Sequence, residues 1–157
     1  MDSLSNIDDT RVIPKIARYC AFQERCRLDV LQKLIEWKVP ADQAIRIMSY
    51  LEENNFLNEA RFARSFARGK FRSNKWGRIR IQYELKIRKV QGVFIREAMQ
   101  EISQEDYRQT LRELILKKQQ EIKAGKNLNI REKIINFVSG KGFESDLAAE
   151  VLKELKI

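Results

Sequence analysis

The stretch 78-RIRIQYELKIRKV-90 decides the fold. From Ile79 to Arg88 apolar and polar residues alternate without a break, which is the period of a half-buried β-strand rather than of a helix. The same residues carry Arg78, Arg80, Lys86, Arg88 and Lys89 against one acid, Glu84. Two other parts of the chain settle the matter. RLDVLQKLIEWKVPADQAIRIMSYL from Arg27, RIRIQYELKIRKVQGVFIREAMQEI from Arg78 and REKIINFVSGKGFESDLAAEVLKEL from Arg131 align without a gap, at offsets of 51 and 53 residues.

Matching columns are apolar together: Leu34/Leu85/Val138, Val39/Val90/Phe143, Ala44/Ile95/Ala148, Ile47/Ala98/Val151, Met48/Met99/Leu152 and Leu51/Ile102/Leu155. The last four columns step at helical intervals and would bury one stripe of a final helix. Leu31, Leu34, Ile35 and Lys38 in the first copy, and Ile130, Ile134, Ile135 and Val138 in the third, also step as a helix does. The middle copy is therefore read as helical despite its local period. A further helical stretch precedes each copy, at Lys15–Phe22, Asn58–Phe71 and Gln104–Lys123, and the only prolines are Pro14 and Pro40. The expected fold is all-α: three tandem three-helix repeats, helix-turn-helix-like, in an elongated array whose units pack chiefly on their neighbours. The expected divisions are a polar tail over 1–12 and repeats over 13–56, 57–103 and 104–157.

Composition narrows the function. With 31 Lys+Arg, 22 Asp+Glu and a net charge of +9, the expected partner is anionic: nucleic acid, a membrane surface or an acidic protein. No apolar run approaches the ~20 residues of a membrane span. MDSLSNIDDT lacks the features of a signal peptide, so a cytoplasmic location and no membrane partner are expected. There is no histidine, and Cys20 and Cys26 are the only cysteines. Two thiols do not make a structural zinc site, and in a reducing cytosol they are read as free and buried. Without histidine the commonest general base is missing, and the glycines form no nucleotide-binding pattern, GKG at 140–142 being too short. No enzyme, metal or cofactor is expected.

The excess charge has an address. From Arg61 to Val90 eleven basic residues stand against Glu84, while the remaining chain holds 20 basic and 21 acidic residues. Arg61, Arg64, Arg68 and Arg72 share one helical face, and Phe62, Ala63, Phe66 and Ala67 occupy the opposite one. Like charges one turn apart destabilise a helix, so four arginines with no acid among the residues they span point to an external anion. Lys70, Lys75, Arg78, Arg80, Lys86, Arg88 and Lys89 extend the set. At Lys75-Trp76-Gly77 a helix start could offer backbone N–H groups to a phosphate, with Trp76 either stacking on a base or stapling the turn to its own core. Arg27 and Arg131 hold the column of Arg78 and could extend the contact outward.

These residues also carry a likeness. LNEARFARSFARGKFRSNKWGRIRIQYELKIRKV, Leu57 to Val90, resembles the RecX family of bacterial recombinase regulators. The shared pattern is Leu57-Asn58-Glu59, Phe62-Ala63, the basic run from Arg64 to Lys75, Gly77-Arg78-Ile79, Glu84-Leu85 and Arg88-Lys89. GFESDLAAEVL resembles the closing unit of that family, and YCAFQERCRLDVLQKL resembles its opening segment. The family often has Lys-Gly-Ile where this chain has Arg88-Lys89-Val90, and Gln119–Asn129 matches only loosely.

The resemblance implies a curved, elongated array that binds the RecA–single-stranded-DNA filament. It implies inhibition of RecA ATPase, strand exchange and coprotease activity, with some intrinsic affinity for single-stranded and, more weakly, duplex DNA; a monomer is expected. The residues leave two other classes open. One is an autonomous helix-turn-helix DNA-binding protein or transcription factor, which would show sequence-dependent duplex binding. The other is a scaffold that grips an acidic protein through the basic patch alone.

Overall fold

The disputed stretch is a helix. The structure, a computed structural model, describes residues 9–123 and 129–157. Among the described residues the elements are α1 (Asp9–Phe22), α2 (Arg27–Glu36), α3 (Ala41–Glu53), α4 (Glu59–Asn74), α5 (Arg78–Ile87), α6 (Gly92–Met99), α7 (Gln104–Lys123), α8 (Ile130–Gly140) and α9 (Ser145–Glu154), with no strand. Extensive helix packing runs only within α1–α3, α4–α6 and α7–α9. The chain is therefore three tandem three-helix repeats in an elongated array. Residues 9–12, read above as tail, are instead the first turn of α1, because Val12 is buried beside Ile16 and Cys20. The rest of that tail, residues 1–8, lies outside the described residues, as does part of the Gln119–Asn129 interval.

The aligned columns explain the repeat. Leu34, Leu85 and Val138 are each fully buried, and so is one member after another of the Ala44/Ile95/Ala148 and Ile47/Ala98/Val151 columns. Helices α2, α5 and α8 end in the same turn. Lys38, Lys89 and Gly142 occupy one column and adopt φ of 61°, 59° and 99°. The next residue then donates its N–H back to the helix: Val39 to Leu34 at 2.9 Å, Val90 to Leu85 at 3.1 Å and Phe143 to Val138 at 3.0 Å. That closes orphan carbonyls with a left-handed residue, ordinarily glycine. Lys89, where the resembling family often has glycine, is wound the same way as its counterparts.

The repeats are joined by capping. In the first joint Glu59, 8 % exposed, accepts the N–H of Arg27 at 3.2 Å and that of Gln91 at 3.4 Å, so one carboxylate tops both α2 and α6. In the second joint the fully buried Tyr107 does the equivalent work. Its hydroxyl accepts the N–H of Arg78 at 3.0 Å and donates to Glu144 at 2.8 Å, topping α5 and reaching the start of α9. The Tyr107 ring stacks on Phe143 at 4.9 Å and leans on Phe71 at 6.0 Å, which fuses the cores of the second and third repeats. The first repeat keeps its own core, with Cys26 crossing into the larger one and Leu28 packing against it.

Backbone meets backbone at the second joint. Gly77 N–H donates to the Lys141 carbonyl at 2.8 Å and Ile79 N–H to that of Gly142 at 3.0 Å. A Cβ on Gly77 would lie 2.3 Å from the Gly142 carbonyl, and one on Gly142 would lie 2.4 Å from Cβ of Arg80. Neither neighbour is a flexible side-chain tip. Gly142→Ala combines that clash with a left-handed backbone and should lower the unfolding free energy by about 2 kcal/mol or more. Lys89→Gly, in the same column without the clash, should leave stability unchanged or raise it slightly. Urea unfolding of the two variants checks both.

Cys20 and Cys26 are free and buried, as the sequence led one to expect. Burial pushes the Cys26 thiol from 9.0 up to about 11 and raises Cys20 as well. Burial likewise raises Tyr107. The folded chain holds these protons where the unfolded chain releases them, so unfolding free energy falls as pH rises. Stability should be intact below pH 9 and decline from there through pH 11, at up to about 1.4 kcal/mol per pH unit for each group. Denaturant titrations across that range read the slope.

Candidate nucleic-acid and partner interface

Helix α4 presents the charge because of how it starts. Asn58 caps it, its side chain accepting the N–H of Arg61 at 2.9 Å, and that register turns Phe62, Ala63, Ala67 and Phe71 inward. Arg61, Arg64, Arg68 and Arg72 then point out, as the spacing requires. Acids from other elements nonetheless reach them. Glu24, in the α1–α2 connection, lies 2.6 Å from Arg61, and Glu101, just past α6, lies 3.9 Å from Arg64 and 3.2 Å from Arg68. The sequence reading, that no local acid serves these arginines, does not reach these partners: carboxylates distant in sequence arrive by folding. Arg72 alone of the four makes no ion pair among the described residues.

The start of α5 is also committed. Its backbone N–H groups at Gly77, Arg78 and Ile79 all donate to the third repeat, so the phosphate site expected at Lys75-Trp76-Gly77 is already filled by protein. The Arg78 guanidinium donates to the Ile102 carbonyl at 3.0 Å and to Gln104 at 3.1 Å, and lies 4.0 Å over the Tyr107 ring. Arg78 is a clamp between repeats. Arg27 and Arg131, its column mates, are engaged too: Arg27 pairs with Glu52, and Arg131 donates to the Ile157 carbonyl.

Trp76 is half-buried and packs edge-on against Phe66, 6.4 Å between centroids. Arg80 covers its ring at 4.1 Å and Lys70 at 4.9 Å, while Arg88 sits 4.8 Å over Phe66 and pairs with Glu84 at 3.0 Å. The indole is a platform for the chain's own cations. That arrangement keeps the positive charge of Lys70 and Arg80 unneutralised, since a π face offers no countercharge.

Arg72, Lys75, Lys86 and Lys89 are exposed and without ion pairs among the described residues. They fall at two ends of the repeat: Arg72 and Lys75 close α4, Lys86 and Lys89 close α5. Lys75 borders a cleft of about 350 Å³ that opens into the third repeat and is also lined by Lys117, Lys118 and Lys141. Lys118 lies 4.6 Å over Phe137 and 3.6 Å from Glu121. The basic surface therefore crosses the joint. The sequence held a signal for this in the Lys117-Lys118 pair and in GKG, but only folding brings them beside Lys75. A larger cleft of about 480 Å³ separates the first and second repeats, where Tyr19, Arg25, Glu24 and Asp29 face Phe66, Lys70 and Arg88.

Fold and surface define an all-α array of three-helix repeats with a positively charged middle unit. The model of the second three-helix domain of RecX matches residues 58–99. A regulatory protein RecX from Clostridium acetobutylicum is 30% identical over 114 residues, 70% of this chain and 52% of that protein. The chain thus spans about half the length of several curated relatives it matches. One from Prosthecochloris aestuarii is matched nearly end to end, 25% identical over 97% of this chain and 98% of that protein. The crystal structure of RecX from Lactobacillus salivarius superposes with a TM-score of 0.84 over 94% of this chain and 96% of that one, at 20% identity, which speaks for the fold. The chain belongs to the RecX family.

Sorting the arginines by their partners gives a direct check. Arg78→Ala removes two hydrogen bonds and a stacked cation from the joint, and should cost about 1–3 kcal/mol. Arg72→Ala removes a side chain without an ion pair among the described residues and should stay within about 0.5 kcal/mol of the parent. Urea midpoints of the two single variants read the difference.

Proposed function

We propose that this chain is a regulator of the RecA–single-stranded-DNA filament, binding it and restraining RecA ATPase, strand exchange and coprotease activity. It acts as a monomer in the cytoplasm, performs no chemistry of its own, and has direct affinity for single-stranded DNA and less for duplex. The observation that carries the reading is the unpaired positive surface of the middle repeat in a chain of the RecX family. Arg72 and Lys75 lead from α4 into the cleft of Lys117, Lys118 and Lys141, a path suited to successive phosphates rather than to a base edge. Lys70, Arg80 and Arg88 form a second cationic group around Phe66 and Trp76. An elongated array of repeats can lie along a groove and touch several subunits of a filament.

The test is RecA ATP hydrolysis on single-stranded DNA, titrated with this protein at fixed salt. Hydrolysis should fall at amounts too small to coat the DNA. Arg72→Glu with Lys75→Glu should weaken bare single-strand binding and flatten its salt dependence, by roughly 0.7 in the log–log slope for each phosphate no longer neutralised. Unchanged hydrolysis together with sequence-dependent duplex binding would identify a helix-turn-helix DNA-binding protein in its place.

A further inference from the structure

The alternation in α5 has a second consequence once it is helical. Residues two apart on a helix stand about 200° apart, so a strict alternation produces two apolar stripes on opposite sides. One is Ile81 and Leu85, both fully buried. The other is Ile79, Tyr83 and Ile87, spaced by one turn each and 53 %, 61 % and 51 % exposed. The fold uses only the first.

The other repeats show that the second stripe is no requirement of the architecture. The equivalent columns are Leu28, Gln32 and Glu36 in α2, and Glu132, Asn136 and Gly140 in α8. Only Leu28 among them is a large apolar residue, and it is partly buried against the larger core. Three exposed large apolar side chains on one ridge are thus peculiar to the middle repeat. Contiguous apolar surface of this kind marks an interaction site.

Charge identifies the occupant. On the helical wheel Arg80 borders the stripe on one side and Lys86 on the other, while the only acid of α5, Glu84, is turned to Arg88. A phosphate backbone would seek the cations and gain nothing from two isoleucines. A second copy docked by the same face would bring Arg80 and Lys86 against their own counterparts across a two-fold axis, like charge on like. The complement is a protein surface with an apolar strip edged by carboxylates. We propose that Ile79, Tyr83 and Ile87 dock such a surface on the recombinase subunits of the filament, leaving the DNA contacts to Arg72, Lys75 and the adjoining cleft. The assignment rests on the filament-directed reading above and supplies its protein contact.

The full chain carrying Ile79→Gln, Tyr83→Gln and Ile87→Gln tests it. Binding is measured to RecA filaments on oligo(dT) and to bare oligo(dT), with circular dichroism and thermal melting as controls of the fold. Filament affinity should fall at least about tenfold, as when a central apolar anchor is removed, while bare oligo(dT) binding and melting stay at parental values. Lys86→Glu, at an exposed position, should weaken filament binding as well, and it decides the matter if the triple variant melts early. Parental filament affinity in a folded triple variant, or in Lys86→Glu, overturns the proposal. So does a parallel drop on bare oligo(dT), which would make the stripe a nucleic-acid face. So, too, does a parental dimer that the triple variant dissolves. If the unaltered chain itself fails to bind the filament, the filament reading falls first and the docking surface with it.

Discussion

Tyr107 is the residue on which the relation between repeats depends. A phenol hydroxyl can accept and donate at once, and here it accepts from the start of α5 and donates toward the start of α9. Its ring meanwhile joins Phe71 to Phe143, so that two cores become one. Around it the Gly77 and Gly142 backbones approach so closely that neither position has room for a Cβ. A joint made of backbone hydrogen bonds and one buried ring has few alternative arrangements. The first joint, held by the Glu59 carboxylate over α2 and α6, uses the same logic with a charged group.

This places the residues of the family-like pattern in a physical light. Asn58 caps α4, Glu59 tops two helices, Gly77 lets the third repeat approach, and Arg78 clamps it. These are structural duties, and each fixes where the cations of the same segment stand. A helix start whose N–H groups are spent on a neighbouring repeat cannot also hold phosphate. The exposed cations without an ion pair among the described residues are those at the helix ends, Arg72, Lys75, Lys86 and Lys89.

Electrostatically, the middle repeat is less uniform than its composition. Glu24 and Glu101 each come from outside the basic run and engage Arg61, Arg64 and Arg68. Exposed pairs of this kind contribute little to stability, yet they lower the potential over the first three turns of α4. The cation of that face without an ion pair among the described residues, Arg72, lies toward the end of the helix, next to the cleft that Lys75 shares with Lys117, Lys118, Glu121 and Lys141. Stacking of Lys70 and Arg80 on the Trp76 ring orders those side chains without cancelling most of their charge.

The sequence by itself determined the helices, the three repeats and which columns are buried, because a periodic apolar pattern repeated in register leaves little freedom about which face turns inward. It also placed the excess positive charge in the middle repeat, since charge is additive along a chain. The tertiary structure alone decided which of those charges are free. Salt-bridge partners 33 or 37 residues away, such as Glu101 for Arg68 and Glu24 for Arg61, carry no local signal. Nor does a tyrosine that caps a helix 29 residues earlier. The alternation of α5 was legible as a pattern but not as a surface. A period of two means opposite faces in either a strand or a helix, and only packing shows which of the two faces the core takes.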